Sequence, residues 1–270
     1  MITRVPGDVA LHLEVEGEGA VPIVLMHGFG GSARNWRPQL RALKGAFRVA
    51  AFDVRGHARS AAPPDAAAYR PERFVADVAR VLDFLHAERA IVGGLSMGAG
   101  IAARFAAAHP ERTAGLVLTA LPPGAASGSR QRSWAFAFAD ALDREGTAGA
   151  GARYAWGPES GLDERAGKLV QLGFTEHPAH ALAHTLRELL AVQPDAAALG
   201  RALAPLGVPT LLLVGDRDPV SLGPIRQLAV ALEAAQLVVV PGAGHAVNLE
   251  ARDAVSAALR AFASGLPSAV

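Results

Sequence analysis

The stretch "IVGGLSMGAG", Ile91–Gly100, sets one serine between two glycines, Gly94 and Gly98, each two residues away. The apolar run before Ser96 has the composition of a strand, and "AGIAARFAAAHPER" after it that of a helix. Serine and glycine together ordinarily mark a turn or a helix cap. At a strand-to-helix corner, glycine at both second neighbours is the pattern of a nucleophile elbow, in which a sharp turn lifts a serine hydroxyl clear of the sheet. A neutral serine is a weak nucleophile. The pattern carries chemistry only if a base, an acid to orient it and donors for a developing oxyanion stand elsewhere in the chain.

Working outward from the corner, "VALHLEVEGEG" alternates apolar and polar residues as a half-buried strand does. Six unbroken apolar runs follow: "VPIVLMHG", "FRVAAFD", "AIVGGLS", "TAGLVLTA", "VPTLLLVGD" and "AQLVVVPGAG". Runs of this kind suit parallel strands covered on both faces. The segments between most of them have helical spacing; in "PERFVADVARVLDFLHAE", Phe74, Val78, Val81, Leu82 and Leu85 share one face. The pattern predicts an α/β fold with a mostly parallel, doubly wound sheet and right-handed crossovers.

One interval breaks the rhythm. Roughly 85 residues separate the strand ending at Ala120 from the one opening at Val208, far more than a crossover needs. Its aromatic residues and short amphipathic stretches predict a helical lid over the carboxyl edge of the sheet. The expected organisation is a core of residues 1–121 and 206–270, interrupted by a lid over 122–205.

The missing parts of the site then fall into place. "VGDRDPV" puts Asp216 and Asp218 behind a strand, on the edge where parallel sheets hold their sites. "VPGAGHAVNLE" puts His245 on a glycine-rich loop behind the last strand. In "LMHGFGGS", the N–H of Phe29 can point at an oxyanion, and Met97, directly after the serine, offers a second donor from its helix N-terminus.

With these segments in order, the chain resembles the α/β-hydrolase superfamily over essentially its whole length. "HGFGGS", "DVRGHARS", "GLSMG", "GDRDPV" and "GAGH" carry the resemblance. It implies a lid-bearing, cofactor-independent serine hydrolase with Ser96 as nucleophile, Asp218 rather than Asp216 as the acid and His245 as the base. Phe29 and Met97 would form the oxyanion hole, and Trp134, Phe138 and Trp156 of the lid would line an apolar pocket. The elbow resembles those of enol-lactonases, and the layout those of carbon–carbon hydrolases and small-molecule esterases. The implied substrate is a small, largely apolar ester, lactone or vinylogous C–C compound, attacked through an acyl-enzyme. A cofactor-free lyase of the menaquinone-pathway type, or a non-enzymatic small-ligand receptor, would keep the same three residues. One position departs from the pattern: Ala58 stands where D-x-x-G-x-G-x-S has its second glycine.

Other readings of the same residues are weaker. Gly28, Gly30 and Ala33 match a dinucleotide fingerprint, with Asp53 twenty residues further on as its ribose ligand. That reading leaves the elbow and the late Asp–His pair unexplained. His177, His180 and His184 lack an acidic ligand at matching spacing, so they read as a solvated lid-helix face and no metal is expected. His57 and Trp36 read as loop packing, and Arg130 and Arg132 as candidate carboxylate clamps.

Bulk properties narrow the partners. A net charge of +1, from 26 basic and 25 acidic residues, gives no reason to expect nucleic acid or an anionic membrane. No apolar run approaches a membrane span and the N-terminus has no signal-peptide core, so a cytoplasmic location is expected. Cysteine is absent, which excludes disulfides and thiol nucleophiles. Lysine occurs only at 44 and 168 against abundant arginine and alanine, as GC-biased bacterial codon usage produces. Oligomeric state is not encoded in any of these features.

Overall fold

The computed structural model describes residues 1–126, 128–157 and 164–266. The strands are β1 Ile2–Val5, β2 Leu11–Glu16, β3 Ile23–Met26, β4 Val49–Phe52, β5 Ala90–Leu95, β6 Thr113–Thr119, β7 Thr210–Gly215 and β8 Ala235–Val240. Among the described residues they form one eight-stranded sheet in the order β1-β2-β4-β3-β5-β6-β7-β8. The first two strands run antiparallel to their neighbours, and β4 through β8 pair in parallel.

Strand periodicity divides the apolar residues between two layers. Val24, Met26, Ala50, Phe52, Leu212 and Val214 face one side, and Ile23, Leu25, Val49, Ala51, Leu211 and Leu213 the other. Every one of these side chains is buried, which is why the sequence shows solid apolar runs rather than alternation. Helices α1 (Arg37–Leu43) and α10 (Arg252–Gly265) cover the second side, through Leu40, Leu43, Val255, Leu259 and Phe262. Helices α2 (Pro71–Phe84), α3 (Met97–Ala108) and α8 (Leu222–Ala231) cover the first. Pro71 opens α2, where a missing N–H costs nothing, and the helix buries Phe74, Val78, Val81 and Leu82 as its spacing predicts.

The chain leaves β3 toward β4 on one side and returns to β5 on the other, so the winding reverses there. The crevice at the carboxyl ends of β3 and β5 is the position where open α/β sheets hold ligands. An inserted helical region between β6 and β7 lies over this edge: α4 (Arg130–Tyr154), α5 (Glu164–Phe174), α6 (Ala179–Glu188) and α7 (Ala196–Leu203). Helix α4 is broken at Gly146, whose φ of 69° and ψ of −175° are not helical. A short α9 (Val247–Glu250) follows β8. No described helix is long and apolar enough to cross a membrane.

Candidate active site

Ser96 joins β5 to α3 at φ 54° and ψ −111°, a conformation that residues with a side chain rarely adopt. The glycines beside it are there for close approach. A Cβ on Gly94 would lie 2.5 Å from the Gly98 carbonyl carbon, and one on Gly98 2.5 Å from the Met26 carbonyl oxygen. Strand, turn and helix therefore meet backbone to backbone. The Ser96 N–H donates to Thr119 O at 2.8 Å, fixing the turn to β6. Met97 opens α3, so its N–H has no intrahelical acceptor.

The loop behind β7 supplies the acid. Asp218 is 1% exposed; its Oδ2 lies 2.8 Å from His245 Nδ1, and its Oδ1 accepts from the Val220 and Ser221 N–H groups at 3.1 Å each. Burial works against the Asp218 charge, but the His245 contact and the Ser221 bonds outweigh it and hold the carboxyl below its ordinary range. Asp216 points elsewhere, accepting the Gly242 N–H at 2.7 Å.

Sequence reasoning passed over Ser221, which also touches the imidazole: its Oγ lies 3.3 Å from His245 Nδ1 and donates to Ala120 O at 3.1 Å. Nδ1 is the nitrogen that faces Asp218, so Ser221 stands on the acid side of the ring, fully buried and outside the cavity lining. Ser96 and His245 share the cavity wall.

Behind β3, the Gly31 N–H closes a turn on Gly28 O at 3.0 Å, with Phe29 at its crest. His27 anchors the turn from below: Nδ1 donates to Gly28 O at 2.8 Å while Nε2 accepts the Val54 N–H at 3.1 Å. Burial pushes His27 down to about 4, against the opposing charge of Asp53, so the ring is neutral with its proton on Nδ1. Asp53 is fully buried and accepts from the Ala33 N–H at 2.6 Å and from Arg59 N and Nε at 3.1 and 3.0 Å. No oxygen is left for a ribose, and the dinucleotide reading fails on that point. Trp36 and His57 are buried packing residues, as read from sequence; Trp36 Nε1 donates to Met26 O at 2.9 Å. Ala58 holds φ at 46°, the left-handed conformation that a glycine would take without strain.

A cavity of about 360 Å³ opens between this edge and the inserted helices. Trp134, Phe138, Tyr154 and Phe174 line it. Trp156 stands one ring behind, packed edge-on against Phe174 with centroids 5.6 Å apart. The Arg34–Glu176 ion pair sits on the cavity wall. Arg132 is outside it, donating to Ala191 O at 2.7 Å with its guanidinium over Phe136, and Arg130 is exposed. The expected solvated histidine face holds at the exposed His180 and is corrected at His177. His177 is buried, and His180 and His184 reach back to the carbonyls of Ala62 and Pro64 at 3.4 and 3.2 Å. No cluster of three or more His, Asp or Glu residues able to hold a metal occurs among the described residues.

Residues 23–258 match the model of the alpha/beta hydrolase family, and the chain belongs to that family. Epoxide hydrolase B of Mycobacterium tuberculosis is 43% identical over 121 residues, 41% of this chain, and the match spans only 34% of that enzyme's length. A putative 2-succinyl-6-hydroxy-2,4-cyclohexadiene-1-carboxylate synthase of Bacillus subtilis is 28% identical over 84% of this chain and 85% of its own. A thermophilic esterase from Thermogutta terrifontis superposes with a TM-score of 0.84 at 27% identity, covering 98% of both chains.

Proposed function

We propose that the protein is a cofactor-independent serine hydrolase of small, largely apolar esters or lactones, working through an acyl-enzyme on Ser96. One observation carries the proposal: the strained Ser96 elbow opens on the same cavity wall as the ring whose far nitrogen is held by Asp218. With Nδ1 committed to Asp218, His245 has Nε2 left to take the Ser96 proton as Oγ attacks the acyl carbon. The buried Asp218 charge stabilises the imidazolium that forms. The N–H groups of Phe29 and Met97 receive the developing oxyanion, each worth about 3 kcal/mol in the transition state. His245 then returns the proton to the leaving group, and water repeats the sequence to free the acid.

The substrate class follows from the cavity. Leu95, Trp134, Phe138, Leu169, Val170 and Phe174 offer apolar surface for an acyl chain or ring. Arg34, Asn35 and Glu176 give one part of the wall a polar character suited to a leaving group. The division into a core of residues 1–121 and 206–270 and a lid of 122–205 belongs to this reading. The likeness to the Bacillus subtilis synthase, over 84% of this chain, favours a second one, in which the same three residues act on a proton without acylation. The two part on one measurement. Quenched reactions with p-nitrophenyl esters should show a burst near one equivalent and an acyl mass on the intact protein, both absent in Ser96→Ala. Turnover of a true substrate without an adduct would favour the lyase.

A further inference from the structure

The end of α5 and the sharp turn that follows it lie directly on the loop that carries Phe29, and three residues there each hold a different part of that loop. The Phe174 ring fills the space beside Gly30: a Cβ there would lie 2.3 Å from the ring, and φ at Gly30 is +67°. Glu176 pairs with Arg34. His177 reaches deepest, with Nε2 2.8 Å from Gly31 O and Nδ1 3.1 Å from Phe174 O. Both neighbours are carbonyl oxygens, so each ring nitrogen that engages them must donate. The Nε2 contact to Gly31 is the shorter of the two. The Phe29 turn is thus held from below by His27, on Gly28 O, and from the lid side by His177, on Gly31 O.

We propose that His177 is a positioning residue for the oxyanion hole: by fixing Gly31 O it holds the Phe29 N–H in the direction the transition state requires. The inference rests on the oxyanion role given to Phe29 above. In this arrangement the lid does more than shape the pocket. One of its turns completes the catalytic loop, and a buried residue more than 140 positions away in sequence sets where a backbone donor points. A displaced donor weakens binding of the charged transition state far more than of the neutral substrate. Misplacement on the ångström scale is enough to lower turnover by up to about a hundredfold.

Three variants test this. His177→Phe keeps an aromatic ring and removes both donors, His177→Gln restores an N–H within reach of Gly31 O, and His180→Ala is the control on the same lid segment. With p-nitrophenyl butyrate, His177→Phe should lower kcat by about tenfold to a hundredfold with KM within about twofold. A boronic acid, which mimics the tetrahedral oxyanion, should lose affinity by the same factor, and His177→Gln should recover most of both. Hydrogen exchange of the amides of residues 28–32 should quicken by about tenfold in His177→Phe and remain unchanged in His180→Ala. Where His177→Phe does not fold, the smaller, donor-free His177→Leu takes its place with the same expectations. Unchanged exchange overturns the proposal, as does an equal fall in kcat for the Phe and Gln variants with boronic acid affinity intact. A wild type that yields neither Ser96 adduct nor turnover would instead refute the hydrolase reading. The exchange experiment would then decide alone whether His177 holds the loop.

Discussion

The Asp218 carboxylate is shared between two tasks: Oδ2 meets His245 Nδ1 at 2.8 Å, and Oδ1 takes two backbone amides of its own loop. The amides fix the carboxylate, and the carboxylate fixes the ring. Asp218→Asn would present an N–H where an acceptor is needed and favour the wrong imidazole tautomer. We expect kcat on an activated ester to fall by about 10³-fold to 10⁴-fold. Asp216→Asn, which alters only the bond from Gly242, should stay within about threefold of wild type. An inverted ranking would move the acid two positions upstream.

Ser221 touches His245 Nδ1 and Ser96 shares the cavity wall with His245, and this geometry separates the two serines. Ser96→Ala should reduce ester hydrolysis by about 10³-fold to 10⁶-fold and leave the thermal midpoint unchanged or higher. Ser221→Ala removes a tether to Ala120 O and a neighbour of Nδ1, so a loss of about tenfold or less is expected. A fluorophosphonate should label wild type and Ser221→Ala alike and leave Ser96→Ala unlabelled. Labelling that followed Ser221 instead would reverse the assignment.

Ala58 occupies a left-handed conformation that a glycine adopts without strain. Ala58→Gly should relieve that strain and stabilise the protein by about 1 kcal/mol, even after the added freedom of the unfolded chain. For a chain of this size the midpoint should rise by about 2 °C in calorimetry. A lower midpoint would show that the methyl group contributes packing worth more than the strain.

Acid should destabilise the fold well before its carboxylates titrate. His27 is held neutral down to about 4, against 6.5 for the free side chain; burial, and the cost of placing positive charge beside the His27 and His177 rings, drives His57 well below its ordinary value. Both groups bind protons more readily in the unfolded chain. Their stabilisation is therefore complete above pH 6.5 and declines as pH falls below it, the His27 part levelling off near 4. For His27 the loss is about 3 kcal/mol. His57→Leu removes one of these groups together with a buried ring nitrogen that has no partner. Its midpoint relative to wild type should be higher at pH 5 than at pH 8. Equal differences at both pH values would show that His57 does not contribute.

The elements that could be read from sequence are those whose local pattern and tertiary role agree. The inner parallel strands are buried on both faces, so β3 through β7 appear as apolar runs, and Ser96 and Asp218 each follow such a run; His245 follows the edge strand β8, which is apolar in sequence but largely exposed or half-buried. Ile2–Val5 is different: four residues at a sheet edge, two of them polar, carry too little pattern to be separated from the strand that follows. The lid shows where sequence reading stops. Aromatic content marks Trp134, Phe138 and Trp156 equally, yet Phe174 takes the wall and leaves Trp156 behind it. His177 looked like its solvated neighbours because its partner, Gly31 O, is supplied by a loop no local spacing could bring near. Ser221 escaped notice for a similar reason: only the fold places it beside His245.

The backbone of Ser96, at φ 54° and ψ −111°, has a consequence for attempts to harden this protein. Glycine adopts that geometry at no steric cost, so Ser96→Gly should raise stability by about 1 to 2 kcal/mol while removing the hydroxyl proposed as the nucleophile. A library sorted only for heat resistance would enrich glycine at position 96 and discard the function along with the strain. Any such selection must score turnover in every round, because on the proposed mechanism the sturdiest residue at this one position lacks the nucleophile.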